Sequence, residues 1–435
     1  MRRSFFVGLA TALIWSAPAS TAQTPGLPGK TVEMTLSAYL KAVADSNLGY
    51  AAQRYNVSIA QAQLAEARVF LPNPQAQFGY SGDVTRGRPR NDRESTIKSG
   101  GFSQTIELGG KRGDRMEAAR HGLLAASATL DDFWRNLRAS AASAFVTARA
   151  NQMIAERMKQ SSASFDRVAE ATARRLKEGD VGEVDAVQAR VDAFQFRSQY
   201  LTAEANAQTA VIGLTQFLGR EQAESTIQPK SDLDLPLKSY DLNELMAVAL
   251  QKRPDVIAAR ETHDAAVASV RLAKAGRIPD PNIGVSYTRT GSSTNTTAPY
   301  DKTDTLGLDL SFELPVFTRH QPEVEAAQFS ERQADREYEA ALLNAQIEVR
   351  QAFAAYQLAA QQVALYRDSG TLRDAETVLK ARTFSYEHGD ASLLDLLQAQ
   401  RDLNDVYNNY YGALSGWVLA RLALEQAAGI ADDDL

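Results

Sequence analysis

The chain has 435 residues, a formal net charge of −6 and no cysteine. Without cysteine there is no disulfide framework, thiolate metal site, cysteine nucleophile or lipidated N-terminal cysteine. The mild negative charge argues against a nucleic-acid binder, which would carry a basic face.

In chain order, residues 1–22 read as a signal peptide. Arg2 and Arg3 precede the apolar run SFFVGLATALIW, and Ser20-Thr21-Ala22 is a small-residue cleavage site. The run is too short for a membrane span, and a cysteine-free chain suits an exported protein. Residues 23–220 then form a first structural repeat. Helix-period spacing covers roughly 35–70 and stops at Pro72 and Pro74. Two strands follow, at about 75–85 and 96–108. In them Ala76, Phe78, Tyr80, Val84, Phe102, Ile106 and Leu108 alternate with polar residues, which gives one dry face and one wet face. The loop TRGRPRNDRES between them is polar. From Lys111 to Leu176 there is no proline. A seam through Leu130, Trp134, Leu137, Ala141, Ala148, Met158, Phe165 and Thr172 steps by three or four residues, or sums of these, as helix packing requires. A run of that length extends roughly 100 Å as a helix. It turns in a tip near 178–182, and a second helix returns toward Gly219.

Residues 221–238 are polar and Pro-bearing, and read as a linker. Residues 239–430 repeat the plan in order, and 431–435 form a tail. TLSAYLKAVADS is answered by DLNELMAVALQK, LPNP by IPDP, and QTIELGGKRG by SFELPVFTRH. EGDVGEVDAVQA is answered by HGDASLLDLLQA, and Gly219 by Gly429. The second pair of strands falls at about 281–290 and 304–314, with the loop GSSTNTTAPYDK between them, and the second tip near 388–392. No later stretch is apolar enough for a transmembrane helix.

Four amphipathic strands are too few for a membrane barrel, which begins at about 8. An open edge in lipid would leave backbone groups unpaired. Either the strands cap a soluble helical bundle, or several chains pool them. Three copies would supply 12 strands, and their helical hairpins would continue the wall as a hollow cylinder. The expected fold class is mainly α with a membrane β-barrel portion: long helical hairpins in an α-barrel, four strands per chain pooled between copies, and an internal duplication; the pooled strands require an oligomer without choosing three copies.

Enzyme chemistry lacks its parts: there is no P-loop, HExxH or GxSxG. His121, His263, His320 and His388 are scattered, with no ligand partner at helical spacing, so neither a metal site nor a cofactor is expected. GGKRG at 109–113 reads as a flexible strand-to-helix joint. Glu178, Asp180, Glu183 and Asp185 cluster at the first tip, and Asp390 and Asp395 at the second.

The duplicated plan, LPNP with IPDP, and the two tip phrases together resemble the TolC-like outer membrane factor family. The resemblance covers the whole mature chain. It implies a homotrimer embedded in outer membrane lipid, a 12-stranded barrel and an α-helical tunnel into the periplasm. The implied activity is passive: an exit duct of a tripartite efflux pump, partnered by a periplasmic adaptor protein and an inner-membrane pump of the proton-driven type. SQTIELGGKRGDRMEAA, from Ser103 to Ala119, is most similar to the heavy-metal cation branch. A duct for organic compounds or for type I secretion is the alternative, and a soluble periplasmic coiled-coil scaffold is the alternative of another class. By this resemblance Tyr386 and Asp395 line the periplasmic gate. Gln398 stands where the family has a second acid, Ala391 stands where it has a locking arginine, and Asp185 joins the gate from the first tip. Arg175, Leu176, Gly179 and Gly389 match the tip residues that dock the adaptor.

This reading makes detergent a requirement. The purified mature protein should stay in solution as an oligomer only in detergent. A compact, water-soluble monomer on a sizing column would end the channel reading.

Overall fold

A computed structural model describes residues 31–82, 96–219, 226–292 and 301–430. The signal peptide, Val84, the loop TRGRPRNDRES, most of GSSTNTTAPYDK, the first residues of the linker and the tail lie outside the described residues.

The first half opens with strand β1 (Thr31–Met34) and helices α1 (Leu36–Ser46) and α2 (Leu48–Ala67). Strands β2 (Gln75–Gly82) and β3 (Thr96–Thr105) follow, then α3 (Lys111–Glu178) and α4 (Glu183–Leu214). Strand β4 (Thr226–Pro229) leads into the second half: α5 (Leu242–Lys252), α6 (Pro254–Ala275), β5 (Asn282–Thr290) and β6 (Thr303–Ser311). It ends with α7 (Gln321–Ser369), α8 (Thr371–Glu387) and α9 (Leu393–Ala428). The halves differ at one point. The single long helix α3 is matched by two helices, because Gly370 adopts φ +66° and interrupts the ladder between α7 and α8.

The sheet β2-β3-β5-β6 is antiparallel throughout, with β2 and β6 at its edges. Its ladder ends at Thr105 and Ser311, short of the 108 and 314 that side-chain alternation suggested. The shared neighbour β5 begins only at Asn282, after Pro279 and Pro281, which have no N–H to donate.

The stretch expected to act as a linker is packed rather than free. Its β4 pairs in parallel with β1. Ile227 and Leu233 are buried, Arg149 Nε donates to Ser231 O at 3.0 Å, and Arg367 donates to Leu235 O at 2.8 Å. This belt lies over the main core, where Tyr39, Phe145, Leu214, Leu414, Trp417 and Leu424 are fully buried. Ala141, Ala142 and Ala148 of α3 face the same core, and their small side chains let the backbones approach closely. Tyr39 donates its hydroxyl to Leu214 O at 2.9 Å and packs its ring 5.4 Å from that of Phe145.

Each half closes on itself at the same place. In the first, Asn47 caps α2 by accepting from Tyr50 N at 2.8 Å, and its amide donates to Phe217 O at 2.9 Å, just past the end of α4. In the second, Arg253 holds the corresponding corner before α6. Its Nη1 donates to Ala427 O, at the end of α9, at 2.9 Å. Its other nitrogens bond the Asp255 carboxylate at 3.0 and 2.6 Å, and Glu348 lies at 2.8 Å. The Arg253 side chain is 1% exposed, so its charge is viable only with these partners.

Arg253→Ala should therefore lower stability by about 3–5 kcal/mol, since it strands Asp255 and a helix-end carbonyl. Asn47→Ala, which removes a cap, should cost about 1–2 kcal/mol. Denaturation of the detergent-solubilised protein followed by circular dichroism reads both; equal midpoints for Arg253→Ala and the parent would refute the corner's role.

Candidate functional site: an amphipathic sheet and two helical tips

Pairing aligns the apolar residues of all four strands on one face. Ala76, Phe102, Val285 and Leu308 form one row, and Phe78, Gly100, Tyr287 and Leu306 the next. The row Tyr80, Lys98, Arg289 and Asp304 ends this band toward the loops with charge. In the opposite direction Leu310, Phe312 and Leu314 continue it. The other face carries Gln77, Gly101, Ser286 and Gly307 in one row and Gly79, Ser99, Thr288 and Thr305 in the next. Among the described residues nothing covers the apolar face: Phe78 and Leu308 are each 83% exposed. A water-exposed face of this kind is disfavoured by about 25 cal/mol per Å², so it needs lipid or protein against it. The edges β2 and β6 also lack a partner among the described residues.

The joint between sheet and helices is fixed, not flexible as its glycines suggested. Lys111 Nζ donates to Ile278 O at 2.7 Å and pairs with Asp280 at 2.8 Å. Arg112 donates to Arg68 O, at the end of α2, through Nε and Nη2 at 3.2 and 3.0 Å. Arg115 holds Glu107 in a two-point pair at 2.5 and 3.0 Å. GGKRG thus delivers cations to carbonyls left open at the end of α2 and just past α6, where the helix dipoles are negative.

At the far end of α3 the two tips lie side by side. Gly179 and Gly389 adopt φ +85° and +82°. Each closes its helix with the same pair of bonds: Gly179 N to Leu176 O and Asp180 N to Arg175 O, and Gly389 N to Tyr386 O and Asp390 N to Ser385 O. This is a Schellman ending, which needs a left-handed residue. Both glycines are exposed, as is Asp185 in the first turn of α4.

The gate residues singled out in the sequence do not share one environment. Tyr386 is 8% exposed and packs with Phe165, Ala189, Phe196, Leu396 and Leu397 in a small core that joins both hairpins. Its hydroxyl lies 3.1 Å from Thr172 Oγ1, and the Arg175 guanidinium stands over its ring at 5.1 Å. Asp395 is exposed and forms a capping box: its backbone N–H donates to Ser392 Oγ at 3.2 Å, and its carboxylate accepts from Ser392 N and Oγ at 3.2 and 2.8 Å. The Ser392 hydroxyl and N–H hold the Asp395 carboxyl below the usual carboxylate range. Gln398 donates to Asp402 at 2.8 Å along the same helix.

Sequence reasoning missed the polar ties between the hairpins. Asp192 of α4, 2% exposed, meets Arg401 of α9 at 2.5 Å. Gln400 donates to Ser164 at 3.0 Å, and Ser161 donates to Asn404. A carboxylate amid Ala186, Ala189, Ala193 and Phe196 was the available signal for the first of these. Sequence reasoning sought partners for the histidines only at helical spacing, where a contact between helices is not visible. The fold corrects this: His121 Nδ1 lies 2.8 Å from Glu261 Oε2, on α6.

The sequence profile of the outer membrane efflux protein family matches residues 38–220 and 245–430. The cobalt-zinc-cadmium resistance protein CzcC of Cupriavidus metallidurans is 28% identical over 99% of this chain and 100% of that protein. The outer membrane protein TolC of Vibrio cholerae is 22% identical over 63% of each chain. Among solved structures, CusC superposes with a TM-score of 0.76 at 19% identity, over 96% of this chain and 99% of CusC. The CmeC outer membrane channel of Campylobacter jejuni gives 0.75 at 17% identity, over 91% and 85%.

The tip geometry sets two measurable costs. Ser392→Ala should destabilise the start of α9 by about 1 kcal/mol, and Gly389→Ala should cost about 1–2 kcal/mol in backbone strain alone, since open space surrounds its Cβ position. Because the Asp395 pKa is lowered, its cap is complete above the usual carboxylate range and is lost as pH falls through the lowered value. Amide exchange at the first turn of α9 reports all three; protection that stays unchanged in Ser392→Ala would remove the capping role.

Proposed function

This chain belongs to the outer membrane efflux protein family, and from that premise we propose that it is the exit duct of a tripartite pump that expels heavy-metal cations. It is an outer membrane channel that spans into the periplasm. The observation that carries the duct is the sheet: one bare apolar face and two open edges, which only a closed wall in lipid satisfies. Three copies make that wall 12 strands around. The helices favour the same assembly. Val184, Val187, Val191, Phe194 and Leu201 form an exposed heptad stripe along α4, which a neighbouring copy would cover. Full-length similarity to a cobalt-zinc-cadmium resistance protein, together with the Ser103–Ala119 joint, supports the cargo. The proposed processing removes residues 1–22 and leaves two repeats, 23–220 and 239–430.

The channel itself supplies no energy. A periplasmic adaptor docks at the tips through Arg175, Leu176, Gly179 and Gly389 and links the duct to a proton-driven inner-membrane pump. The tips are also the gate. Tyr386 secures α8 against α3 through Thr172, and the exposed Asp395, Gln398 and Asp185 stand at the entrance. Three copies of Asp395 form an acidic ring, which favours cations in a narrow pore.

Deleting the gene should sensitise cells to cobalt, zinc or cadmium, and its return should restore resistance. Sensitivity confined to organic compounds would transfer the duct to another pump. In planar bilayers, Tyr386→Phe and Thr172→Val should each raise conductance by loosening the tip. If both conduct like the parent, the constriction lies elsewhere. Ion selectivity should fall in Asp395→Ala; unchanged selectivity would leave Asp395 as a helix cap alone.

A further inference from the structure

Helices α3 and α6 run antiparallel, with a charged seam between them. At one end Arg271 bonds Glu117 at 2.5 Å and reaches Asp114 at 3.4 Å. At the other Arg135 stands 3.8 Å from Asp255. Between these arginines the partner is a histidine. His121 Nδ1 of α3 contacts Glu261 Oε2 of α6 at 2.8 Å. Asp264, one turn further along α6, adds a second carboxylate, and donor atoms of all three residues lie within 4.8 Å of one another. The side chains of His121 and Glu261 are 19% and 11% exposed, and that of Asp264 is 41% exposed. The cluster is shielded on the helix side and reachable from solvent on the other.

We propose that His121, Glu261 and Asp264 bind one divalent cation of the zinc or cobalt class and so clip α3 to α6. One imidazole nitrogen and two carboxylate oxygens suit cations of borderline softness. Magnesium and calcium favour all-oxygen shells, and soft monovalent copper favours sulfur. Bonds of about 2.1 Å in a tetrahedron separate ligand atoms by roughly 3.4 Å, so the His121–Glu261 pair at 2.8 Å opens slightly and donors no more than 4.8 Å apart close by at most about 1.4 Å. Binding through Nδ1 uses the neutral imidazole with its hydrogen on Nε2, so a proton held on Nδ1 moves to Nε2, or to solvent if both nitrogens carry one, as the cation takes its place. Supporting contacts orient the carboxylates: Arg260 lies 3.1 Å from the second oxygen of Glu261, and His263 lies 3.2 Å from Asp264. Three protein ligands leave a coordination position for water, as in an exchangeable site and unlike a closed structural one. The inference does not depend on what the channel carries.

The test uses the full-length oligomer in detergent, with its purification tag removed and stripped by chelator. Calorimetric titration with zinc should give one equivalent per chain, and cobalt should give visible absorption bands. Zinc should also raise the unfolding temperature. His121→Ala and the gentler Asp264→Asn should each weaken binding about tenfold or more, while His388→Ala leaves it unchanged. The site is overturned if the parent binds neither metal at micromolar concentration. It is equally overturned if Asp264→Asn binds like the parent, or if the signal follows His388.

Discussion

The edges of β2 and β6, whose backbone groups have no strand partner among the described residues, are the constraint on which the rest of the molecule depends. A sheet of four strands with one apolar face cannot rest in water or in lipid as a single copy. Closure around a shared axis removes both edges and gives the apolar face to lipid. Once the strands close, the helices that leave them must form a ring as well, because Lys111, Arg112 and Arg115 hold the joints rigid. The length of α3 then carries that ring far from the membrane, with the tips at its far end.

The duplication has a physical meaning beyond resemblance of phrases. In each half the last long helix returns to the corner between the first two short ones. Asn47 receives one helix end and Arg253 the other. The chemistry differs, a neutral amide against a buried guanidinium, but both fill the same vacancy, a helix C-terminus with open carbonyls. The tips differ in a similar way. Ser392 completes a capping box with Asp395, whereas Gly182, with no side chain, leaves Asp185 without that reciprocal bond. Two near-copies of one plan thus end in differently capped tips, from the same Gly-Asp turn.

Polar groups in the helical walls divide into two kinds. Asp192 with Arg401, Ser161 with Asn404 and Tyr386 with Thr172 hold one hairpin against the other near the tips. Such pairs are costly to break and register-specific, which suits elements that must keep their alignment over long contacts. His121 with Glu261 lies nearer the sheet and ties α3 to the shorter helix α6 instead.

Much of the fold was legible because its signals are local. Alternation in Ala76–Tyr80 and Leu306–Leu310 announced a two-faced sheet, and the prolines at 72, 74, 279 and 281 marked where helices yield to strands. A proline-free run declared α3, and the recurring Gly-Asp phrase marked the tips. The break at Gly370, the early end of the sheet ladder and the packing of the supposed linker were not legible, since each depends on what lies opposite in space. The same holds within the site. Sequence singled out Tyr386 and Asp395 side by side in one phrase, yet the fold buries the first and exposes the second. Tyr386 ends α8 and Asp395 opens α9, so the chain reverses at Gly389 between them and the two meet different surroundings. Periodicity and turn chemistry act over a few residues, so the sequence by itself determined the four strands of the sheet, the long helical hairpins and their order. Which residue meets which across 140 positions (His121 with Glu261) or 214 (Tyr386 with Thr172) was decided only by tertiary packing, because no local pattern encodes the register of two long helices.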